Sequence, residues 1–183
     1  MIHIWEDDWL YKNDIIKSIL LNVIGKSRRI YARKCEVREV SSKESSLFLK
    51  TNHLQGKVNS SIKLGLYHEG ELVSLMTFGS LRRSLGHKSN NGYYELLRFC
   101  NKLNTTVVGG ASRLFKRFLE QYNPISVISY ANRDWSNGNL YKQLGFKFDG
   151  YTKPGYHWIV NGLRENRYKY RKDILVKMVM IIK

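Results

Sequence analysis

The spacing of apolar residues along the first half of the chain predicts two helices and three strands. Apolar positions between Asp8 and Gly25 follow a helical period, which predicts a single helix. Imperfect alternation of apolar and charged residues over 28–40 predicts a half-buried strand. Residues 41–54 predict a short helix with a serine N-cap. Two apolar runs within 62–79 flank the turn HEGE and predict a hairpin in which Gly70 takes a positive φ.

The second half continues with alternating strand and helix patterns. Residues 81–92 are polar and contain glycine, which is typical of a long loop. The pattern then predicts a strand at 93–100, a helix at 108–122, a strand at 125–131, a helix at 136–145 and two strands at 146–151 and 156–160. The tail at 161–183 carries seven basic and two acidic residues, and it predicts an amphipathic basic helix within 163–175.

Composition narrows the class of partner. The 183 residues and the 43% hydrophobic content predict a single compact domain. Lys and Arg outnumber Asp and Glu by 31 to 15, and a formal charge of +16 attracts polyanions, among which nucleic acid comes first. No apolar run approaches the roughly 18 to 20 residues that span a bilayer, so we expect no membrane partner.

The opening residues and the cysteines predict a cytoplasmic protein. The start MIHIWEDDW is acidic and lacks the basic-then-apolar order of a secretory signal. Cys35 and Cys100 are too few for a disulfide framework or a four-thiolate zinc site, and we expect both to be small buried apolar side chains. His68, His87 and His157 lack metal-ligand spacing, so we predict no metal.

A glycine turn opens the predicted helix at 108–122. Gly109, Gly110 and Ala111 place almost no side-chain bulk at its first turn, while Leu114 and later apolar residues give it a buried face. Free backbone N–H groups and the positive end of the helix dipole make such a turn a site for an anion such as phosphate. Close packing of the helix on a sheet is the alternative explanation for the small residues.

Two motifs, taken with the order of elements, resemble the GNAT (N-acetyltransferase) fold over residues 29–160. The turn at Gly109 looks like the family's pyrophosphate loop, and the run Asn139 to Phe146 looks like its LYxxLGF helix ending. The loop differs at Thr106, where the family usually has Arg or Gln. The resemblance implies an α/β (α+β) fold with a central mixed, mostly antiparallel twisted sheet flanked by helices. It also implies acetyl-CoA or a related acyl-CoA as cofactor, held by Val107, Val108, Gly109, Gly110, Ala111, Ser112 and Arg113.

A narrower likeness connects the chain to a phage-associated group. The stretches HLQG (53–56), YELLRFC (94–100), VGGASRL (108–114) and SYANR (129–133) are similar to Mom-type DNA-modification proteins and to a domain of some phage homing endonucleases. Residues 1–28 resemble the end of a Vsr-like nuclease, leaving a GNAT-like domain at 29–160 and a basic tail at 161–183. This resemblance implies that the protein acts in the cytoplasm of a phage-infected bacterium. Because most of the nuclease is missing, we do not expect this chain to cleave DNA.

The resemblance assigns candidate catalytic residues. Tyr141 occupies the position of a phenol near the cofactor sulfur and is the candidate general acid. The exocyclic amine of adenine is scarcely basic, so its attack benefits from a proton acceptor, for which Glu95 and His53 are candidates. Each has a structural alternative: packing for Tyr141, an ion pair with Arg98 for Glu95, and a structural hydrogen bond for His53. Three residues complete the candidate catalytic set: Arg98, Tyr130, and Asn132, which stands where relatives often have Asp.

Clustered basic residues predict DNA binding independently of catalysis. Phosphate contacts would give salt-sensitive affinity without sequence information. The candidates are Arg28, Arg29, Arg33, Arg82, Arg83, Arg164, Arg167, Lys169, Arg171 and Lys172. Aromatic residues that could stack on a flipped base, or instead belong to the core and its rim, are Tyr93, Trp135, Tyr151, Tyr156 and Trp158.

Three functions remain open from the sequence. The first, which we favour, is a transferase that modifies a DNA base with an acyl-derived group. The second is a catalytically silent DNA-binding module related to homing-endonuclease tails. The third is an ordinary protein or small-amine acetyltransferase, which the charge of +16 disfavours because it repels cationic acceptors.

Overall fold

A computed structural model describes residues 2–81, 91–153 and 155–171. Its helices are α1 (Glu6–Tyr11), α2 (Asn13–Val23), α3 (Ser42–Asn52), α4 (Gly110–Tyr122) and α5 (Asn139–Gln143). Its strands are β1 (Arg28–Tyr31), β2 (Glu36–Glu39), β3 (Ile62–His68), β4 (Glu71–Ser80), β5 (Tyr93–Asn101), β6 (Thr105–Val108), β7 (Ser126–Ser129), β8 (His157–Val160) and β9 (Leu163–Asn166). Two 3₁₀ turns lie at Ala32–Lys34 and Arg167–Tyr170.

A five-stranded sheet in the order β2-β3-β4-β5-β7 forms the centre of the molecule. The first four strands pair in antiparallel fashion, whereas β7 runs parallel to β5. Beside it lie a parallel pair, β1 with β6, and an antiparallel hairpin, β8 with β9. The predicted fold class, a mixed and mostly antiparallel sheet flanked by helices, is confirmed.

Helices cover both faces of this sheet. On one face α4 packs Leu114, Phe115 and Phe118 against buried residues of β3, β4 and β5, and the ring of Phe118 stacks on Phe78 with centroids 3.7 Å apart. On the other face α3 packs Phe48 and Leu49 in a smaller apolar cluster with Val40, Leu72 and Leu75. The two clusters explain why the strands of the centre are apolar on both sides.

Three local predictions are confirmed. Ser41 caps α3, since its Oγ accepts a hydrogen bond from the N–H of Glu44 at 3.2 Å. Gly70 takes a φ of 80° in the turn between β3 and β4. Helix α4 begins directly after Gly109, which has a φ of 76°, and it buries its predicted apolar face.

The predictions for residues 8–40 need two corrections. The single helix is in fact α1 and α2, interrupted at Lys12, because Asp7 and Asp8 bind Arg164 of β9 and orient α1 separately from α2. The single strand is β1 and β2, separated by the 3₁₀ turn at 32–34. The alternation slips between Ala32 and Cys35, and that slip is where the turn forms.

The C-terminal predictions also need correction. Residues 146–151 form no strand, and 163–166 form strand β9 rather than the start of a basic helix. The dipeptide Asn161-Gly162, with φ values of 50° and 76°, makes a tight hairpin turn between β8 and β9. The rest of the predicted helix, from 172 onward, lies outside the described residues.

The boundaries at 28/29 and 160/161 stay predictions, although contacts cross both of them. Arg28 begins β1, which pairs with β6, and Arg164 joins the hairpin to α1.

Among the described helices, none has the length and apolar character needed to cross a bilayer. The predicted cytoplasm of a phage-infected host stays a prediction.

Candidate functional site

The first turn of α4 has backbone N–H groups without an intrahelical partner. Gly109 is its N-cap and contributes no side-chain hydrogen bond, and no acidic residue lies in the first turn. The first hydrogen bond of the helix runs from the N–H of Arg113 to the carbonyl of Gly109, so the three intervening N–H groups have no intrahelical partner. They lie at the positive end of a 13-residue helix.

A cleft of about 420 Å³ opens beside this turn. The 3₁₀ turn at Ala32–Lys34 forms its opposite wall, held in place by a hydrogen bond from the guanidinium of Arg113 to the carbonyl of Ala32. Its lining residues are Tyr31, Ala32, Arg33, Val108, Gly109, Ser112, Arg113 and Lys116. Within the described part of the chain, a Cβ placed on Gly109 would have only Ala32 nearby, at 3.9 Å, which leaves open space above the turn.

A larger cleft of about 810 Å³ adjoins the first and shares Arg33, Arg113 and Lys116 with it. Lys34 and Arg117 bring its cations to five, against the carboxylates of Glu36 and Glu120. Arg113, Lys116 and Arg117 share one face of α4 because they are three and four residues apart. This spacing is visible in the sequence, yet neither Lys116 nor Arg117 is among the predicted site residues, and Arg33 is predicted to contact DNA.

The structure divides the seven predicted cofactor residues into two groups. Val108, Gly109, Ser112 and Arg113 line the cleft. Val107, Gly110 and Ala111 are buried beneath it. A Cβ on Gly110 would approach Val107 to 3.1 Å and Leu66 to 3.4 Å, so this glycine serves close packing. The close-packing explanation therefore holds for Gly110, whereas the anion site at Gly109 stays a prediction.

Thr106 does not face the cleft with its hydroxyl. Its Oγ1 donates to Oδ1 of Asn22 at 2.9 Å and lies 2.6 Å from Oγ of Ser27, which connects β6 to the end of α2. The Arg or Gln side chain that the GNAT resemblance expects at position 106 is therefore absent there. Arg33 and Arg113 place positive charge beside the turn instead.

A β-bulge brings two candidate catalytic residues to the same face of the sheet. Thr77 pairs with Arg98 and Gly79 pairs with Glu95, so Leu97 is an extra residue on β5. Without it, Glu95 and Arg98, three residues apart, would point to opposite faces. The bulge places both on the α3 face, where Glu95 is almost fully buried.

His53 lies near Arg98 at the end of α3. Burial, together with the charges of Arg98 and Lys12, lowers the pKa of His53 from 6.5 to about 4, so its imidazole is neutral at pH 7. Its Nδ1 accepts a hydrogen bond from the N–H of Gln55 at 3.1 Å. The proton of the neutral ring is then on Nε2, which makes His53 a hydrogen-bond donor toward its surroundings.

Thr77 is a polar residue of this region that the sequence did not single out. Its side chain is fully buried, and among the residues that the structure describes Oγ1 has no hydrogen-bond partner. Because Thr77 lies directly opposite Arg98, the unpaired hydroxyl is on the same face as Glu95 and Arg98. A buried, unpaired hydroxyl costs about 1–3 kcal/mol, so this face keeps polarity at the expense of stability.

The remaining catalytic candidates lie elsewhere. Tyr141 is half-buried on the α4 side, with its ring 5.7 Å from that of Phe146, which in turn contacts Phe115. Asn132 is exposed, and its Oδ1 accepts from the N–H of Asp134 at 3.1 Å, which stabilises a turn. Tyr130 follows β7 and is half-buried.

The candidate DNA contacts differ in how far their charge is already compensated. Arg28 and Arg29 are exposed on β1, whereas the guanidinium of Arg164 binds Asp7 and Asp8 at 2.8 and 2.5 Å. Lys169 pairs with Glu165. Arg167 and Arg171 lie over aromatic rings of Tyr156 and Tyr168, and the candidates Arg82, Arg83 and Lys172 lie outside the described residues.

The thiols offer no reactive group. Cys35 is buried, Cys100 is half-buried, and burial raises the pKa of Cys100 to about 12 and that of Cys35 by a smaller amount. In the part of the chain that the structure describes, no three His, Cys, Asp or Glu side chains are grouped as metal ligands.

The sequence matches no protein-family model and no curated protein. The fold is similar to a GNAT-family acetyltransferase from Streptococcus pneumoniae over 69% of this chain and 97% of that one, with 17% identity and a TM-score of 0.47. A ribosomal-protein-alanine N-acetyltransferase from Brucella melitensis biovar Abortus aligns over 67% and 98%, with 13% identity and a TM-score of 0.48.

An integron cassette protein from the mobile metagenome of V. cholerae aligns over 70% of this chain and 94% of its own, with 13% identity and a TM-score of 0.49. At these identities and scores the likeness concerns the arrangement of helices and strands. The chemistry has to be argued from this chain's own residues.

Proposed function

We propose that this protein is an acyltransferase that binds acyl-CoA in the cleft at the start of α4 and modifies an exocyclic amine of a DNA base, with adenine favoured. The observation that carries the proposal is the glycine turn of α4 in a cleft with three cationic side chains, next to a second cleft that adds two more. A diphosphate with a further phosphate, as in coenzyme A, needs this combination of backbone donors and positive charge.

The donor set fits the phosphates of acyl-CoA. The open space above Gly109 lets an anion approach the backbone N–H groups, and Lys116 and Arg33 reach the same cleft. When bound, acyl-CoA supplies an activated carbonyl for transfer. Arg113 has a double role, because its guanidinium also holds the opposite wall at Ala32.

We place the reacting groups where β5 and β7 separate. Their ladder ends at Leu96 and Ser129, whereas β5 continues to Asn101, so β7 no longer pairs with β5 beyond Leu96. Glu95 approaches this region from the α3 face, and Tyr141 belongs to the α4 side. In this proposal the backbone N–H and C=O groups of β5 beyond Leu96 pair with the extended amide chain of acyl-CoA. The pairing is like that of a strand added to the edge of a sheet.

Glu95 is the better candidate for the proton acceptor. The lone pair on Nδ1 of His53 is already used by the N–H of Gln55, and the low pKa of the ring makes it a weak base. In the proposed mechanism the carboxylate of Glu95 accepts the amine proton, and Nε2–H of His53 donates a hydrogen bond. The phenol of Tyr141 donates a proton to the departing thiolate.

The matched pair Gly109→Asp and Gly109→Asn tests the cleft. Both side chains have the same size and tolerate a positive φ better than other residues, but only Asp adds negative charge where the phosphates would bind. We expect calorimetry to find CoA binding weakened at least tenfold more by Asp than by Asn. Equal losses would contradict the phosphate site and point to backbone strain.

Mass spectrometry of digested nucleosides tests the acceptor. In plasmid DNA from cells expressing the protein, we expect a heavier adenosine that persists with Gly109→Asn and falls at least tenfold with Gly109→Asp. CoA binding with unmodified DNA would reject DNA as the acceptor. DNA binding without CoA binding would favour the silent DNA-binding module instead.

A further inference from the structure

Residues 146–171 expose aromatic side chains at a high density. The stretch holds seven Phe, Tyr and Trp residues, and Phe148 and Tyr151 are 76% and 74% exposed. Tyr156 and Trp158 are also exposed. Because 146–151 form no strand, these rings are not absorbed into the central sheet. Grouped exposed rings of this size are typical of an interaction surface.

Arginine side chains lie over several of these rings. The guanidinium of Arg133 is 4.7 Å from the ring centroid of Tyr151, whose ring is 5.1 Å from that of Phe148. The guanidinium of Arg167 is 5.5 Å from the ring centroid of Tyr156. The surface therefore combines flat π systems with positive charge.

The charge of the stretch selects an anionic partner. Residues 146–171 contain six Lys and Arg residues and two Asp and Glu residues. A partner that is anionic and also carries flat rings satisfies both features, and nucleic acid is such a partner. In a duplex the base faces are stacked on one another, so only unpaired bases can stack on protein rings.

The spacing of the rings suits successive nucleotides. Tyr151 and Tyr156 are five residues apart, so their Cα atoms are at most about 17 Å apart. This distance corresponds to roughly five base steps at a rise of 3.4 Å per step. A short unpaired strand can therefore contact both clusters.

We propose that Arg133, Phe148, Tyr151, Tyr156, Trp158 and Arg167 form a binding surface for single-stranded DNA, in which unpaired bases stack on the rings and the arginines contact phosphates. This deepens the proposed function, on which the choice of DNA over RNA rests. Under this proposal, the base that accepts the acyl-derived group is already unstacked from the double helix.

Fluorescence anisotropy with the full chain tests the surface without any coenzyme. The probes are a labelled single strand of about 12 nucleotides, its duplex, its RNA equivalent and an abasic strand of the same length. We expect the single DNA strand to bind at least tenfold more tightly than the abasic strand. Tyr151→Leu removes a ring and is expected to lower single-strand affinity about tenfold, without affecting the abasic strand.

Two control variants separate stacking from charge and from general effects. Tyr11→Leu removes a ring that is 69% exposed on α1 and is not one of the proposed contact residues, and it should leave binding unchanged. Arg133→Lys keeps the charge and loses the flat guanidinium, so affinity should fall while the salt dependence stays the same.

Three results would overturn the surface: equal affinity for the abasic and base-bearing strands, equal loss in Tyr11→Leu and Tyr151→Leu, or tighter binding to the duplex than to the single strand. A tenfold preference for RNA would overturn the choice of DNA. Gly109→Asp should leave strand binding intact, and Tyr151→Leu should leave CoA binding intact, so failure of one proposal is distinguishable from failure of the other.

Discussion

The two faces of the central sheet are packed in different ways. The α4 face is an apolar core with stacked rings, in which Phe118 is fully buried against Phe78. The α3 face combines a small apolar cluster with Thr77, Glu95 and Arg98. The first face stabilises the fold, and the second keeps buried polar groups that a purely structural face would not need. This contrast is the strongest reason to look for chemistry on the α3 side.

The largest expected effect is on the α4 face. Phe118→Ala removes a fully buried ring that contacts Phe78, Phe115 and Tyr94, and we expect a loss of about 3–5 kcal/mol in the free energy of unfolding. Urea denaturation measures it. Leu119→Ala, at an exposed position next along the helix, is the control and should cost much less. Similar losses in the two variants would mean that α4 is not packed as described.

A smaller effect on stability is expected on the α3 face, where His53 makes the free energy of unfolding depend on pH. Its folded pKa, about 4, lies below the unfolded value of 6.5, so the unfolded state binds more protons between these values. Stability is therefore fully present above pH 6.5 and decreases as the pH falls to about 4, by an amount on the order of 2–3 kcal/mol. Urea denaturation between pH 7 and pH 4 measures the decrease.

His53→Gln should flatten that part of the pH dependence, because it removes the group that titrates. His157→Gln, on the exposed strand β8, is the matched histidine control and should preserve the wild-type slope. An unchanged slope in His53→Gln would show that the ring is solvated and that the α3 face is less enclosed than it appears from burial.

The smallest expected effect has the opposite sign. Thr77→Val has nearly the same shape and removes a buried hydroxyl without a partner, so we expect a gain of about 1 kcal/mol in stability. Thr77→Ser keeps the hydroxyl and loses a methyl group, and it should destabilise. Differential scanning calorimetry compares the two. If Thr77→Val destabilises the protein, the hydroxyl has a partner, and the contrast between the faces is weaker than we describe.

The parts of the fold governed by local patterns were predictable from the sequence. The apolar face of α4, the Ser41 cap and the Gly70 turn each depend on residues close in sequence. The break at Lys12 was not predictable, because it depends on contacts of Asp7 and Asp8 with Arg164, far along the chain.

The candidate site was predictable only in part. The glycine turn was visible as a small-residue run, and Arg113 was placed in it. The bulge at Leu97 has no local signature in YELLRFC, yet it is the reason that Arg98 and Glu95 lie on the same face of the sheet. Arg33 joins Lys116 in the cleft only because the strand at 28–40 breaks into two. The assignment of Asn161-Gly162 to a basic tail, by contrast, overlooked a recognisable hairpin turn.

The ion pair between Asp7 and Arg164 has a consequence for the order of folding. It joins residues 157 positions apart, and closing a loop of that length costs roughly 4–5 kcal/mol in chain entropy, more than a partly exposed ion pair returns. The pair therefore forms only after the intervening sheet has assembled. During synthesis at roughly 5–20 residues per second, α1 leaves the ribosome roughly 8–30 seconds before its partner does. Until Arg164 arrives, the first helix lacks this ion pair while the rings of Trp5 and Trp9 are exposed, and the segment is open to chaperones and proteases.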